Sequence, residues 1–188
     1  MKRIVKHLAV AVCLIALTLS AAPGALAKAD AYPAISLKVP SYKQMDSRWA
    51  SAEVGESGKT MKKIGCAVTS LAMTESYRTG SAVTPLAMEA RLSFDRSGSL
   101  YWPSNYAIPA AIPFSQLYRK LREGVPVIVG ASKAGGGTHF VVITGFVGGD
   151  SLGASGFTIN DPGSSTRTRL SQFLAAYPTL FRRVYYTN

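Results

Sequence analysis

The hydrophobic patterning changes character near Gly124, and that change constrains the fold more than any other feature of the chain. Upstream, apolar residues recur at helical spacing. Cys66-Ala-Val-Thr-Ser-Leu-Ala-Met73 places apolar side chains at 67, 68, 71, 72 and 73, which predicts a helix beginning at Cys66 and ended by Gly80. Pro85 to Leu92 reads as a second helix, with Thr84 as N-cap and Pro85 at its first position. Ser115 to Glu123 reads as a third, closed by Gly124.

Downstream of Gly124, β-branched and aromatic runs lie between glycine-rich turns: Val125 to Val129, His139 to Thr144 and Phe157 to Asn160. Leu170 to Tyr177 is expected as a short helix and Arg183 to Tyr186 as a last strand, while Ser36 to Val39 is expected as a short strand before Pro40. Asp46 to Ile64 lacks sustained periodicity and reads as a long loop anchored by Trp49, a length typical of functional loops. Helices first and strands after predict an α+β domain in which a helical part packs on an antiparallel sheet.

The N-terminus carries Lys2, Arg3, Lys6 and His7, an apolar run from Leu8 to about Ala22, and then Ala25-Leu26-Ala27. This is the pattern of a cleavable export signal over residues 1–27. The apolar run falls short of the ~20 residues that span a bilayer, and no later stretch reaches that length. A soluble mature chain with no transmembrane segment is expected, exported to the periplasm or the exterior. Residues 28–35 read as a flexible arm and 36–188 as one domain.

Export changes the residue count that matters most. The two cysteines are Cys13 and Cys66 and the two histidines are His7 and His139, so cleavage leaves one of each. One cysteine cannot form an internal disulfide, and one Cys with one His cannot supply the four ligands of structural zinc. No metal and no cofactor is expected. A lone thiol in an exported domain is either an inert core residue or a reactive group, and its surroundings decide between these.

Charge excludes less. The chain has 21 Lys and Arg against 10 Asp and Glu, and 18 against 10 after cleavage. Arg167, Arg169, Arg182 and Arg183 are scattered, with no recognisable nucleic-acid-binding sequence around them, so nucleic acid is not an expected partner. An exported basic surface suits anionic cell-wall or envelope polymers, or solubility alone.

Cysteine attacks as the thiolate, and the unpaired N–H groups of a helix start favour the anion there, which is where Cys66 falls. Its own N–H can serve as half of an oxyanion hole. His139 follows the flexible Gly135-Gly-Gly-Thr138 and opens an apolar strand, so its ring can project toward a cleft. A hairpin closing about Asp150 would set residues whose numbers sum to 300 opposite one another, bringing Asp161 beside His139. A slip of one residue would bring Asn160 there instead, and either a carboxylate or an amide can orient an imidazole.

These residues resemble the bacteriocin-processing, C39-like branch of papain-like cysteine peptidases. The resembling pieces are Val39-Pro-Ser-Tyr-Lys-Gln44-Met-Asp-Ser-Arg-Trp49, Ile64-Gly-Cys66-Ala-Val-Thr-Ser-Leu-Ala-Met73, Gly124-Val-Pro-Val-Ile128, Thr138-His139-Phe-Val-Val142 and Asn160-Asp161-Pro162. The resemblance implies a papain-like fold with Cys66 as nucleophile, His139 as general base and acid, and Asp161 as its orienter. It also implies Gln44 as the side-chain donor of the oxyanion hole, a role an amide fills without titrating. No transporter region accompanies these pieces, so leader-peptide processing is not implied, and a peptide or protein substrate is the general expectation. Two other readings keep the same residues: a peptidoglycan amide hydrolase of the NlpC or CHAP type, and a catalytically silent binding domain. Transfer of the acyl group to an amine instead of water is a further variant of the chemistry.

Overall fold

The computed structural model describes residues 30–187; the expected signal segment lies outside them. The elements in chain order are β1 (Ile35–Ser36), α1 (Met61–Ile64), α2 (Cys66–Thr79), α3 (Pro85–Glu89), β2 (Ser93–Phe94), β3 (Leu100–Tyr101) and β4 (Tyr106–Ala107). They continue with α4 (Phe114–Arg122), β5 (Val127–Ser132), β6 (Thr138–Phe146), β7 (Phe157–Asn160), α5 (Leu170–Ala176) and β8 (Thr179–Tyr186). The helices fall where the periodicity puts them. Gly80 closes α2 in the left-handed conformation at φ 67°, and the Thr84 side chain accepts the Ala87 N–H at the head of α3. The single turn α1 and the short strands β2 to β4 carry no pattern long enough to predict.

The main sheet is antiparallel, in the order β1-β6-β5-β8-β4, with β7 on β6. On one edge of β6, β5 pairs as far as Ile143 and β1 takes over at Gly145 and Phe146; β7 pairs along the other edge. The sheet is covered on both faces. Ile128, Val142 and Val184 pack with Val68, Leu71 and Ala72 of α2. Val127, Val129, Val141 and Ile143 pack with Leu117 and Leu121 of α4 and Phe173 of α5. Burial on both faces explains why these strands read as continuous apolar runs rather than as alternation.

Three expectations change. Residues 30–35, read as a loose arm, lie against the sheet: Tyr32 exchanges backbone hydrogen bonds with Gly149 at 2.9 and 3.1 Å, and its ring meets Tyr118 edge-on at 5.3 Å. The last strand begins at Thr179, four residues early, and contains a bulge. The β6–β7 register also differs, with Val142 opposite Asn160 and Ile143 opposite Ile159, followed by a bulge before Gly145 meets Thr158. The β6–β7 offset is already present where Phe146 pairs with Phe157 beside the turn, so the connection sets it, and the bulge in β8 leaves no mark on hydrophobic alternation.

The long loop is held as the sequence suggests. Trp49 is buried, and its indole N–H donates to the Lys43 carbonyl at 2.8 Å. At the far end of α2, the buried Glu75 carboxylate accepts the Tyr106 hydroxyl and the Arg78 guanidinium, both at 2.7 Å, tying β4 to the helix that begins with Cys66.

Candidate active site

Cys66 opens α2 directly behind Gly65. A Cβ on Gly65 would run into the Met61 thioether and carbonyl. Its absence lets α1 fold against the start of α2, with the Gly65 N–H donating to the Met61 carbonyl at 2.7 Å. The first N–H groups of a helix have no intrahelical acceptor, so Cys66 sits at the positive end of the α2 dipole. The thiol is free and 8 % exposed, and it lines a cleft of about 410 Å³.

His139 is the second residue of β6 and is 6 % exposed. Its Nε2 hydrogen-bonds Asp161 Oδ1 at 2.6 Å, which leaves Nδ1 for Cys66. The ring packs against Tyr177 at 5.3 Å and Phe173 at 6.0 Å. Gly163 closes the other approach: a Cβ there would stand 2.9 Å from His139 Cε1 and 3.1 Å from Nε2. Burial by itself would push the imidazole toward neutrality. Hydrogen bonds with Asp161 and Cys66, reinforced by their charge, outweigh it and raise the ring to about 9.

Asp161 follows the last residue of β7, and its side chain is fully buried. Continuing the observed register would set Asp161 opposite Val141, one diagonal step from His139 on the same strand face, within reach of such a pair. The carboxylate collects three donors: His139 at 2.6 Å and the Gly163 N–H at 2.8 Å on Oδ1, and Arg167 Nε at 2.6 Å on Oδ2. Burial works against its charge, but the His139 and Arg167 bonds prevail and hold it below the usual carboxylate range. Asn160, the other orienter the sequence allows, turns away, its amide donating to the Val39 and Pro40 carbonyls at 3.0 and 3.2 Å.

Gln44 is buried beside the same junction. Its Nε2 donates at 2.8 Å to the carbonyl of Lys62, the residue one helical turn before Cys66, and its backbone N–H donates to Pro162 at 3.0 Å. The Nε2 group has a second hydrogen to offer, while Oε1 is buried without a hydrogen-bond partner.

Several contributors escape a sequence reading. Lys43 Nζ bonds the carbonyls of Asp161 and Ser164 at 2.6 and 2.7 Å and holds the loop carrying the carboxylate. Arg167 grips Asp161 from the other side and lies over Tyr177, 5.7 Å from the ring centre. As sequence, Arg167 is one scattered cation among several. Only the closeness of Lys43 to Gln44 and of Arg167 to Asp161 along the chain hints at either. Among the described residues, no group of three or more His, Cys, Asp and Glu side chains could hold a metal ion, and no helix is long and apolar enough to cross a membrane.

A search of curated proteins gives no match. Among solved structures, the fold is similar to the crystal structure of a candidate C39-like peptidase from Bacillus anthracis, with a TM-score of 0.51 and 16 % identity, covering 82 % of this chain and 98 % of that one. At that identity the likeness establishes the mixed helix and antiparallel-sheet fold and no more. The family profile reaches further, because residues 36–185 match that of the Peptidase_C39 like family along nearly the whole described chain. The chain belongs to the Peptidase_C39 like family.

Proposed function

We propose that this protein is an exported cysteine peptidase of papain-like design, with Cys66 as nucleophile, His139 as general base and acid, Asp161 as orienter of His139, and Gln44 as an oxyanion donor. The observation that carries the proposal is the buried His139–Asp161 pair at 2.6 Å, whose imidazole interacts with the Cys66 thiol lining a cleft. Membership of a peptidase family supports amide hydrolysis as the reaction.

In this mechanism the Cys66 thiolate attacks the scissile carbonyl carbon, and the oxygen takes up negative charge facing the Cys66 N–H and Gln44 Nε2. As the tetrahedral intermediate collapses, the C–N bond breaks and His139 gives its proton to the departing amine. A thioester remains. Water then attacks it, His139 takes the water's proton, the C–S bond breaks, and the acid leaves as the thiolate is restored. Asp161, held by Arg167 and Gly163, keeps the proton of Nε2 in place so that Nδ1 faces the sulfur throughout.

Residues 1–27 act in this reading as the export signal, and residues 36–188 form the peptidase domain. The basic balance of the chain suits substrates held near anionic envelope polymers. Alkylation by iodoacetamide between pH 4 and 9, followed at Cys66 by mass spectrometry, tests the reading. The wild type keeps reacting at the acidic end of that range, and His139→Ala loses that low-pH reactivity. A Cys66 that is inert, or whose profile ignores His139, overturns the assignment in favour of a silent binding domain.

A further inference from the structure

The cleft beside Cys66 has an aromatic wall that the backbone is specially shaped to make. Phe140 follows His139 on β6, and its ring lies directly over Gly130 of β5, where a Cβ would stand within 2.8 Å of Cδ1. Any other residue at 130 would evict it. Trp102 approaches the same ring at 5.6 Å and Phe181 meets it edge-on at 5.8 Å and 83°.

Phe181 is itself a product of the bulge in β8. Gly130 pairs with Arg182 and Ala131 pairs with Leu180, so Phe181 is the extra residue between them. In regular β-structure Phe181 and Arg182 would face opposite sides of the sheet. Here both line the cleft that Cys66 lines, as bulges beside active sites often arrange. Phe181 stands 40 % exposed at the rim. Arg182 brings a buried Nε with no hydrogen-bond partner, and a guanidinium N–H held away from water calls for an acceptor, a carboxylate most of all. Lys59 adds positive charge to the same lining, although its Nζ is engaged by the Ser97 carbonyl at 2.9 Å. At about 410 Å³ the cleft is within the range of small-molecule sites.

We propose that this cleft is the specificity pocket of the enzyme, taking an aromatic side chain of the substrate peptide against Phe140, Phe181 and Trp102 while Arg182 pairs with a carboxylate of the same peptide. This rests on the peptidase reading for the peptide nature of the occupant, but not on turnover. The aromatic partner follows from the edge-to-face geometry the wall offers, and the carboxylate from the orphaned guanidinium donor.

Because Cys66 lines the pocket, an occupant shields it, and protection of Cys66 from iodoacetamide reads binding without requiring cleavage. The probes are Ac-Phe-Glu-NH2, its neutral isostere Ac-Phe-Gln-NH2, Ac-Ala-Glu-NH2, and Ac-Gln-Phe-OH, whose carboxylate is C-terminal. Ac-Phe-Glu-NH2 or Ac-Gln-Phe-OH is expected to protect at a concentration at least tenfold below that needed for the neutral or the alanine peptide. Whichever protects better identifies a side-chain or a terminal carboxylate. In Arg182→Glu that advantage disappears, each peptide's protection being scored against that variant's own unprotected alkylation rate; in Phe181→Ala the preference for Phe over Ala falls. Equal protection by all four peptides, or the same ranking in Arg182→Glu, overturns the proposal. Protection without cleavage products in the same samples would count against the peptidase reading and leave the pocket standing.

Discussion

The imidazole of His139 and the carboxylate of Asp161 meet at 2.6 Å although the ladder between their strands does not set them opposite one another. The contact is diagonal, made by a residue just past the end of β7 and fixed by Arg167 and the Gly163 N–H. An amide at 161 keeps much of the shape and loses the charge. Asp161→Asn is therefore expected to lower kcat/KM by about 10²- to 10⁴-fold. It should also move the His139 titration, followed by NMR, down from about 9 toward 6.5. An unchanged titration would show that the carboxylate does not govern the ring.

The same pair sets a pH dependence of stability. His139 is raised above its ordinary 6.5 to about 9, so its protonated form stabilises the fold fully below about pH 6.5 and that contribution fades as pH rises through about 9. Asp161 is held below its ordinary 3.8, so its contribution is present above that value and is lost as pH falls through the lower folded value. Thermal unfolding should show Tm falling from pH 6 to pH 9.5 in wild type and falling much less in His139→Ala. Parallel curves for the two proteins would contradict the assigned direction.

Gly163 is a contact requirement rather than a conformational one, since it is not among the glycines with positive φ. In Gly163→Ala the new methyl meets the His139 ring at about 3 Å, so the ring must shift. We expect at least tenfold slower Cys66 alkylation at pH 6 to 7, with a stability cost of about 1–3 kcal/mol in urea unfolding. Alkylation at the wild-type rate would mean that the ring position does not depend on this close approach.

Gln44 separates positioning from charge stabilisation. Its amide does not titrate, so Gln44→Ala should leave the pH profile of Cys66 alkylation nearly unchanged while lowering kcat by about 10²- to 10³-fold. If alkylation and kcat fall together, Gln44 serves the local packing, through its bond to the Lys62 carbonyl, and not the oxyanion.

The residues of the candidate site were open to reading in unequal measure. Cys66 at a helix start and His139 at a strand start are local facts: the 3.6-residue period beginning at Cys66 and the apolar run behind a glycine-rich turn both lie within short windows. Gln44 has no such window and enters the reading only through the family resemblance. Lys43, Gly163 and Arg167 act across loops, where neither period nor propensity reports on neighbours.

By itself the sequence determined the helical first half, the strand-rich second half, and a single Cys and a single His beyond residue 27, because backbone preference and hydrophobic period are written in adjacent residues. Tertiary structure decided between the two partners the hairpin reading leaves open for His139: the Asp161 carboxylate meets the ring at 2.6 Å, and Asn160 donates instead to the Val39 and Pro40 carbonyls. It also decided the wall of the cleft, where a bulge at Phe181 and the missing side chain of Gly130 bring Phe140, Phe181 and Arg182 to one side. The physical reason is common to both. A bulge inserts one residue and leaves the apolar runs almost as they read, and a side chain just past a strand's end is not set by the ladder, yet each changes which side chains meet, and chemistry depends on which side chains meet.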